Sequence, residues 1–342
     1  MLLALGGCYG DGQADSSTAG TIVIHAESAQ SQPVVSTPAP AAAASPSAIQ
    51  ADPVEAAATA ATATAPLRVQ LLVPAYAYPL PNSPFWNGMN NAAKAAKKAK
   101  LPAPFITAIM NPGSGAGLKK DPSYVSAVNT LRSNGGRIIG YVPSGYTGRK
   151  VEPKSTCKPK NAKGGYTADD VVNCAKAYQT LYGKDFVDGI FVDEMGVPGA
   201  GYTPVKPGED VAFYRAVYAG LKKLNPKWII FGNAGRVPPE SYFNDNATGV
   251  ADTIVTFEGF YSDYWAAGLA GYRTKYLTTR FGTIIHDTPN NYDFDKLLAN
   301  SKNGNFGYLY VTDDKYEPNP YDVLPTTWSA QIDKIIAFDT AK

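Results

Sequence analysis

Val187-Asp188-Gly189-Ile190-Phe191-Val192-Asp193-Glu194 is an apolar run closed by two adjacent carboxylates. A run of this kind suits a parallel strand covered on both faces. Charge is costly inside such a strand, so Asp193 and Glu194 are expected where it emerges, at its C-terminal end. Parallel α/β proteins build their active sites at that end. Thr253-Ile254-Val255-Thr256-Phe257-Glu258-Gly259 repeats the form. With two histidines in the whole chain, two strands that end in acids point to chemistry done by carboxylates.

Working outward, strands are expected at 68–74, 105–110, 137–142, 228–233, 281–287 and 306–314. Helical patterning falls between them, at 85–100, 122–134, 168–182, 209–224, 263–276, 293–300 and 326–338, with a short helix at 239–244. Thr167 reads as an N-cap, with Asp170 in the first turn that follows. Strands alternating with helices over residues 67–342 predict an α/β fold, a (β/α)8 TIM barrel. A doubly wound open sheet is the runner-up, but no dinucleotide fingerprint supports it. The glycines of Asn111-Pro112-Gly113-Ser114-Gly115-Ala116-Gly117 lack the lysine and spacing of a phosphate loop. They read as a tight loop that lets backbone approach a ligand.

Ahead of the barrel the composition changes. Residues 9–66 are rich in Ala, Ser, Thr, Pro and Gln. They hold too little apolar surface to offset their ordering entropy and read as a disordered linker. Residues 1–8, Met1-Leu2-Leu3-Ala4-Leu5-Gly6-Gly7-Cys8, resemble a bacterial lipobox, in which Cys8 is acylated. The apolar run is short and no basic residue precedes it. The expectation is an extracytoplasmic protein, lipid-anchored through Cys8 or secreted. The formal net charge of +2 gives no strong field toward nucleic acid. Beyond the N-terminal anchor no stretch is apolar enough to span a bilayer. In an exported chain Cys157 and Cys174 are expected to bridge, closing a short loop worth about 3 kcal/mol. With no histidine near them they are too few for a metal site.

Residues at the strand C-termini face the mouth of a barrel. Here these are Tyr76, Asn111, Tyr141, Asp193, Glu194, Asn233, Glu258, His286, Asp287, Asp313 and Asp314. The mouth is polar, acidic and aromatic, in a chain with 22 tyrosines. Sugars offer apolar C–H faces to aromatic rings and hydroxyls to Asp, Asn and Glu. Two carboxylates flanking a glycosidic bond are the machinery of a glycoside hydrolase. Asp193 and Glu194, as neighbours in an extended strand, would point to opposite faces and are not expected to be the facing pair. Glu258, two strands round the barrel, can meet Asp193 across a sugar ring. Whether the outcome is retaining or inverting stays open at this level. His286 reads equally as a general base or a core residue. Asp313 and Asp314 could bind a cation or be solvated.

These residues, taken with others, resemble the spherulin-4 family. The matching stretches are Val73-Pro74-Ala75-Tyr76 with Trp86, Ile109-Met110-Asn111-Pro112-Gly113-Ser114-Gly115, Asp121-Pro122-Ser123-Tyr124, Gly140-Tyr141-Val142, Gly189-Ile190-Phe191-Val192-Asp193-Glu194 and Phe257-Glu258. They occur in the family's order and span most of the chain from Arg68 onward. The resemblance implies a barrel hydrolase that cuts within polymers containing α-1,4-linked N-acetylgalactosamine, such as fungal galactosaminogalactan. It puts the functional acids on Asp193, Glu194 and Glu258. The sequence departs from the family at Asn233-Ala234-Gly235, where Asn-Pro-Gly is expected, and at Tyr146-Thr147-Gly148-Arg149.

The combined expectation is an endo-acting hydrolase. Asp193 is nucleophile or electrostatic stabiliser and Glu258 general acid/base, or the two roles are reversed, and Glu194 supports them or contacts the sugar. Tyr76, Asn111, Tyr141, Asn233, Asp287 and Asp313 contact the sugar. No cofactor is implied, and the chain is expected to act as a monomer on a polysaccharide, not on nucleic acid. The alternatives are a polysaccharide-binding barrel that does not cut and a metal-dependent deacetylase.

Overall fold

A computed structural model describes residues 68–149, 155–160, 165–198, 208–243, 249–267, 271–302 and 306–341. Cys8 and the linker expected over residues 9–66 lie outside the described residues. Eight strands pair in parallel in sequence order: β1 (Gln70–Ala75), β2 (Ile106–Met110), β3 (Arg137–Pro143), β4 (Gly189–Asp193), β5 (Ile229–Asn233), β6 (Thr253–Phe260), β7 (Phe281–His286) and β8 (Tyr308–Val311). β8 returns to β1 through Gln70 with Tyr308 and Leu71 with Leu309, which closes the barrel. Around it run α1 (Pro84–Lys98), α2 (Pro122–Ser133), the one-turn α3 (Gly145–Gly148), α4 (Ala168–Tyr182), α5 (Glu209–Leu224), the short α6 (Tyr261–Tyr264), α7 (Phe294–Ser301) and α8 (Trp328–Thr340).

The ring contacts inside the barrel say which residues face its mouth. Phe231 on β5 meets Tyr308 on β8 edge-on, with centroids 4.9 Å apart. These strands are not neighbours, so the rings meet across the interior. Side chains two apart on a strand share a face, so Asn233 faces inward above Phe231. Tyr141 on β3 stacks on Phe191 of β4 at 6.3 Å. By the same spacing Asp193 faces inward above Phe191. On β6 the register with β7 shifts between Val255 and Phe257, and beyond the shift Glu258 pairs with Ile284. Bulges of this kind bend a strand and re-aim its side chains near a barrel rim.

The helix that backs β3 is fixed by its own sequence. Thr167 and Asp170 form the reciprocal capping box at the start of α4. Gly140 lets α4 approach β3: a Cβ there would lie 2.6 Å from the Tyr178 ring. The Tyr178 hydroxyl then sits 3.0 Å from the carbonyls of both Met110 and Tyr141, beneath the mouth. Cys174 on the same helix is bonded to Cys157, with Cα atoms 5.3 Å apart.

The glycine loop after β2 makes a close approach to protein. Cβ atoms at Gly113 and Gly115 would each lie 3.0 Å from Thr156, beside Cys157 of the disulfide. Thr156 donates to the Gly113 carbonyl from both N–H and hydroxyl. The helix expected over 263–276 is broken: α6 ends at Tyr264, and a 3-10 turn follows at Arg273–Lys275. Gly268 and Gly271 cost helix stability, and the aromatic residues pack in different directions. Tyr264 meets Phe257 edge-on, whereas Tyr272 and Tyr276 pack on Phe243.

Candidate active site

The site is built from the C-terminal ends of β4, β5 and β6. Asn233 closes β5, and its amide is oriented by the backbone: the Gly235 N–H donates to Oδ1 at 3.0 Å. Nδ2 must therefore face the other way. It donates to Asp193 Oδ1 at 2.8 Å and also to Glu258 Oε2. One nitrogen thus binds both carboxylates. The backbone does the same work, since the Glu258 N–H donates to the Gly235 carbonyl at 3.1 Å. The Ala234 N–H donates to Val255 O at 3.2 Å. Proline at 234 would lack that N–H, so the departure from Asn-Pro-Gly adds a bond between β5 and β6.

Tyrosines complete the setting. The Tyr141 hydroxyl is hydrogen-bonded to Asp193. The Tyr321 hydroxyl, from the loop after β8, donates to Glu258 Oε1 at 2.5 Å. Tyr76 lies between them, edge-on to Tyr141 at 6.0 Å and to Tyr321 at 5.7 Å. Burial, and then the nearby charges of Asp193 and Glu258, raise the Tyr76 hydroxyl well above its ordinary pKa. Burial raises Tyr141 and Tyr321 in the same sense. All three are therefore protonated hydrogen-bond donors at neutral pH. Glu258 itself is pushed up to about 7, by burial first and by the Asp193 carboxylate second. The bonds from Tyr321 and Asn233 oppose that rise. Asp193 and Glu258 are each half-buried.

Glu194 is different. The chain leaves the strand there with φ +56°, and its side chain is buried, 4% exposed. Its Oε2 accepts from the Gly145 N–H at 3.2 Å, and its carbonyl accepts from Tyr146 N at 2.8 Å. These bonds hold α3, which winds left-handed: φ is positive at Gly145, Tyr146, Thr147 and Gly148. A left-handed turn costs roughly 1–2 kcal/mol per non-glycine residue. It is held further by Thr147 N donating to Tyr214 Oη at 3.0 Å and by Thr147 Oγ1 on Asp210. Ser144, just before the turn, donates from its N–H and its hydroxyl to the Asp193 carbonyl, at 3.0 and 2.7 Å. The second departure from the family thus falls on the turn that seats the Asp193–Glu194 peptide.

The remaining expected residues lie on the same rim with their polar groups engaged. Asn111 Oδ1 accepts from Gly115 N at 3.2 Å and shapes its own loop. Asp287 accepts from Tyr316 N at 2.8 Å, and Asp313 from Thr326 N at 2.9 Å. Both carboxylates thereby tie down the loop that delivers Tyr321. His286 is buried, with Nδ1 2.8 Å from Asp287 Oδ2. Burial lowers its pKa, against the pull of Asp287. Sequence reasoning overlooked Tyr321. It sits in a Pro-rich loop outside any periodic element, and its signal was the Asn319-Pro320-Tyr321 turn in a chain already rich in tyrosine.

Residues 70–335 match the family described as Spherulation-specific family 4. Spherulin-4 of Physarum polycephalum is 26% identical over 284 residues, which cover 79% of this chain and 71% of the relative. The crystal structure of Aspergillus clavatus Sph3 in complex with GalNAc superposes with a TM-score of 0.59 at 21% identity, over 79% of this chain and 98% of that one.

Proposed function

The chain belongs to the spherulin-4 family, and on that premise we propose that it is an endo-acting glycoside hydrolase. Its substrate would be a polysaccharide containing α-1,4-linked N-acetylgalactosamine. The observation that carries the reading is the pair of half-buried carboxylates, Asp193 and Glu258, joined by the Asn233 amide. The GalNAc bound to the Aspergillus relative supports the sugar.

Each residue has a part in the proposed reaction. Glu258, with a pKa near neutrality, gives its proton to the glycosidic oxygen as that bond breaks. Asp193 adds to the sugar carbon from the opposite side. Water then attacks the same carbon, passes its proton to Glu258 and releases Asp193. Tyr76 and Tyr141 supply ring faces and hydroxyls to the sugar. Glu194 keeps the Asp193 peptide seated through the left-handed turn. The reading includes export, with anchoring through Cys8. The Cys157–Cys174 bond supports an oxidising compartment.

The test is reducing-end release from purified galactosaminogalactan by the full chain, beside its Asp193→Asn and Glu258→Gln variants. The expected result is activity in the parent, unchanged by chelator, and a loss of at least about 10³-fold in each variant with circular dichroism intact. Binding without cleavage would favour a carbohydrate-binding barrel. Acetate release that chelator abolishes would favour a deacetylase.

A further inference from the structure

We propose that Tyr321 is the positioning residue of Glu258: its hydroxyl holds the carboxyl in one orientation through both protonation states. This rests on the hydrolase reading above. Tyr321 belongs to no strand of the barrel, yet its place is fixed from several sides. Its N–H donates to Asn319 Oδ1 at 2.9 Å, and Asp287 and Asp313 anchor the flanks of its loop. Its ring packs edge-on to Tyr76 and lies 6.2 Å from Tyr310. The side chain is buried, and its hydroxyl reaches Oε1.

The two groups that grip Glu258 differ in what they can do. The Asn233 amide nitrogen only donates, so it holds an oxygen that carries no proton. A tyrosine hydroxyl both donates and accepts. It can donate to the carboxylate, and after the proton returns it can turn and accept from the acid. Glu258 must alternate between these forms during one turnover; Asn233 keeps Oε2, and Tyr321 is the contact that can hold Oε1 with and without its proton. The titratable groups facing Glu258 are Asp193 from β4, Tyr76 from the end of β1 and Tyr321 itself. Tyr141 on β3 faces Asp193 in turn. The Tyr321 bond favours the anion against burial and the Asp193 charge, so removing it makes Glu258 harder to ionise.

Tyr321→Phe keeps the ring and its packing, and deletes the hydroxyl. In the full chain, kcat on galactosaminogalactan is expected to fall at least about tenfold. The basic limb of the pH–rate profile should move up by about one unit, the scale of one bond to a charged group. The same shift should appear without substrate, in the titration of 13C-carboxyl-labelled glutamate by NMR, with Glu258→Gln assigning the resonance. A Glu258 midpoint unchanged in Tyr321→Phe overturns the proposal, as does a slower enzyme with an unmoved limb. If the parent cuts no amino-sugar polymer, the hydrolase reading fails, and the NMR midpoint still decides whether Tyr321 holds Glu258.

Discussion

Asp193 and Glu258 accept hydrogen bonds from the same atom, Nδ2 of Asn233. A shared nitrogen keeps the nearest oxygens of the two carboxylates within about 5 Å, which favours the short carboxyl separation of retaining glycosidases over the longer one that admits a water. The expected outcome is therefore net retention. Proton NMR of the first sugar released should show the anomer of the substrate before mutarotation. The opposite anomer, appearing first, would refute the pairing of roles.

The shared donor also makes Asn233 a strong point of attack. Asn233→Ala removes one bond from each carboxylate and leaves their mutual repulsion in place. A loss of about 10²–10³-fold in kcat is expected, the scale for deleting one donor beside developing charge. KM should change little, because the amide acts on the carboxylates rather than on a remote sugar. A KM effect alone would instead make Asn233 a substrate contact.

Much of this arrangement was legible in the sequence. The apolar run ending at Asp193 and the alternation of elements led to the closed barrel, because buried parallel strands need continuous apolar residues. Strand geometry predicts that Asp193 and Glu194 face opposite ways, but the chain leaves the strand at Glu194 with φ +56°, which no strand pattern announces. What stayed hidden depended on loops. Asp287 and Asp313 stand where barrel strands present functional groups, and nothing local shows that each bonds a backbone N–H of the loop after β8. That Tyr321 reaches Glu258, 63 residues earlier in the chain, is a property of closure and not of any window of sequence. The close approach at Gly113 and Gly115 was legible, but its protein partners, Thr156 and Cys157, are distant in sequence.

The disulfide should support stability without touching the chemistry. Cys157 and Cys174 are 17 residues apart, a loop for which a bridge contributes about 3 kcal/mol. Its contacts run to the glycine loop after β2 through Thr156, and the carboxylate pair lies on β4 and β6. Cys157→Ser with Cys174→Ser is expected to lower Tm by roughly 6–12 °C and to leave kcat at 25 °C within about twofold of the parent. A collapse of kcat in the folded variant would show that the loop reaches the site.

Glu258 should also leave a mark on stability. Its folded pKa, about 7, lies above the ordinary glutamate value of 4.5, so the folded protein holds this proton where the unfolded chain has lost it. Stability from this group is thus present below about pH 4.5 and declines as pH rises through 7. The side chain is half-buried, so solvent screening reduces the full linkage value to about 1 kcal/mol. Glu258→Gln has no proton to lose. Its Tm should exceed that of the parent by about 2–4 °C at pH 8, and the gap should close near pH 4.5. Parallel Tm curves for the two proteins across this range would mean that Glu258 ionises as an ordinary carboxyl, and with it the neutral-pH proton donor assigned to this site would be lost.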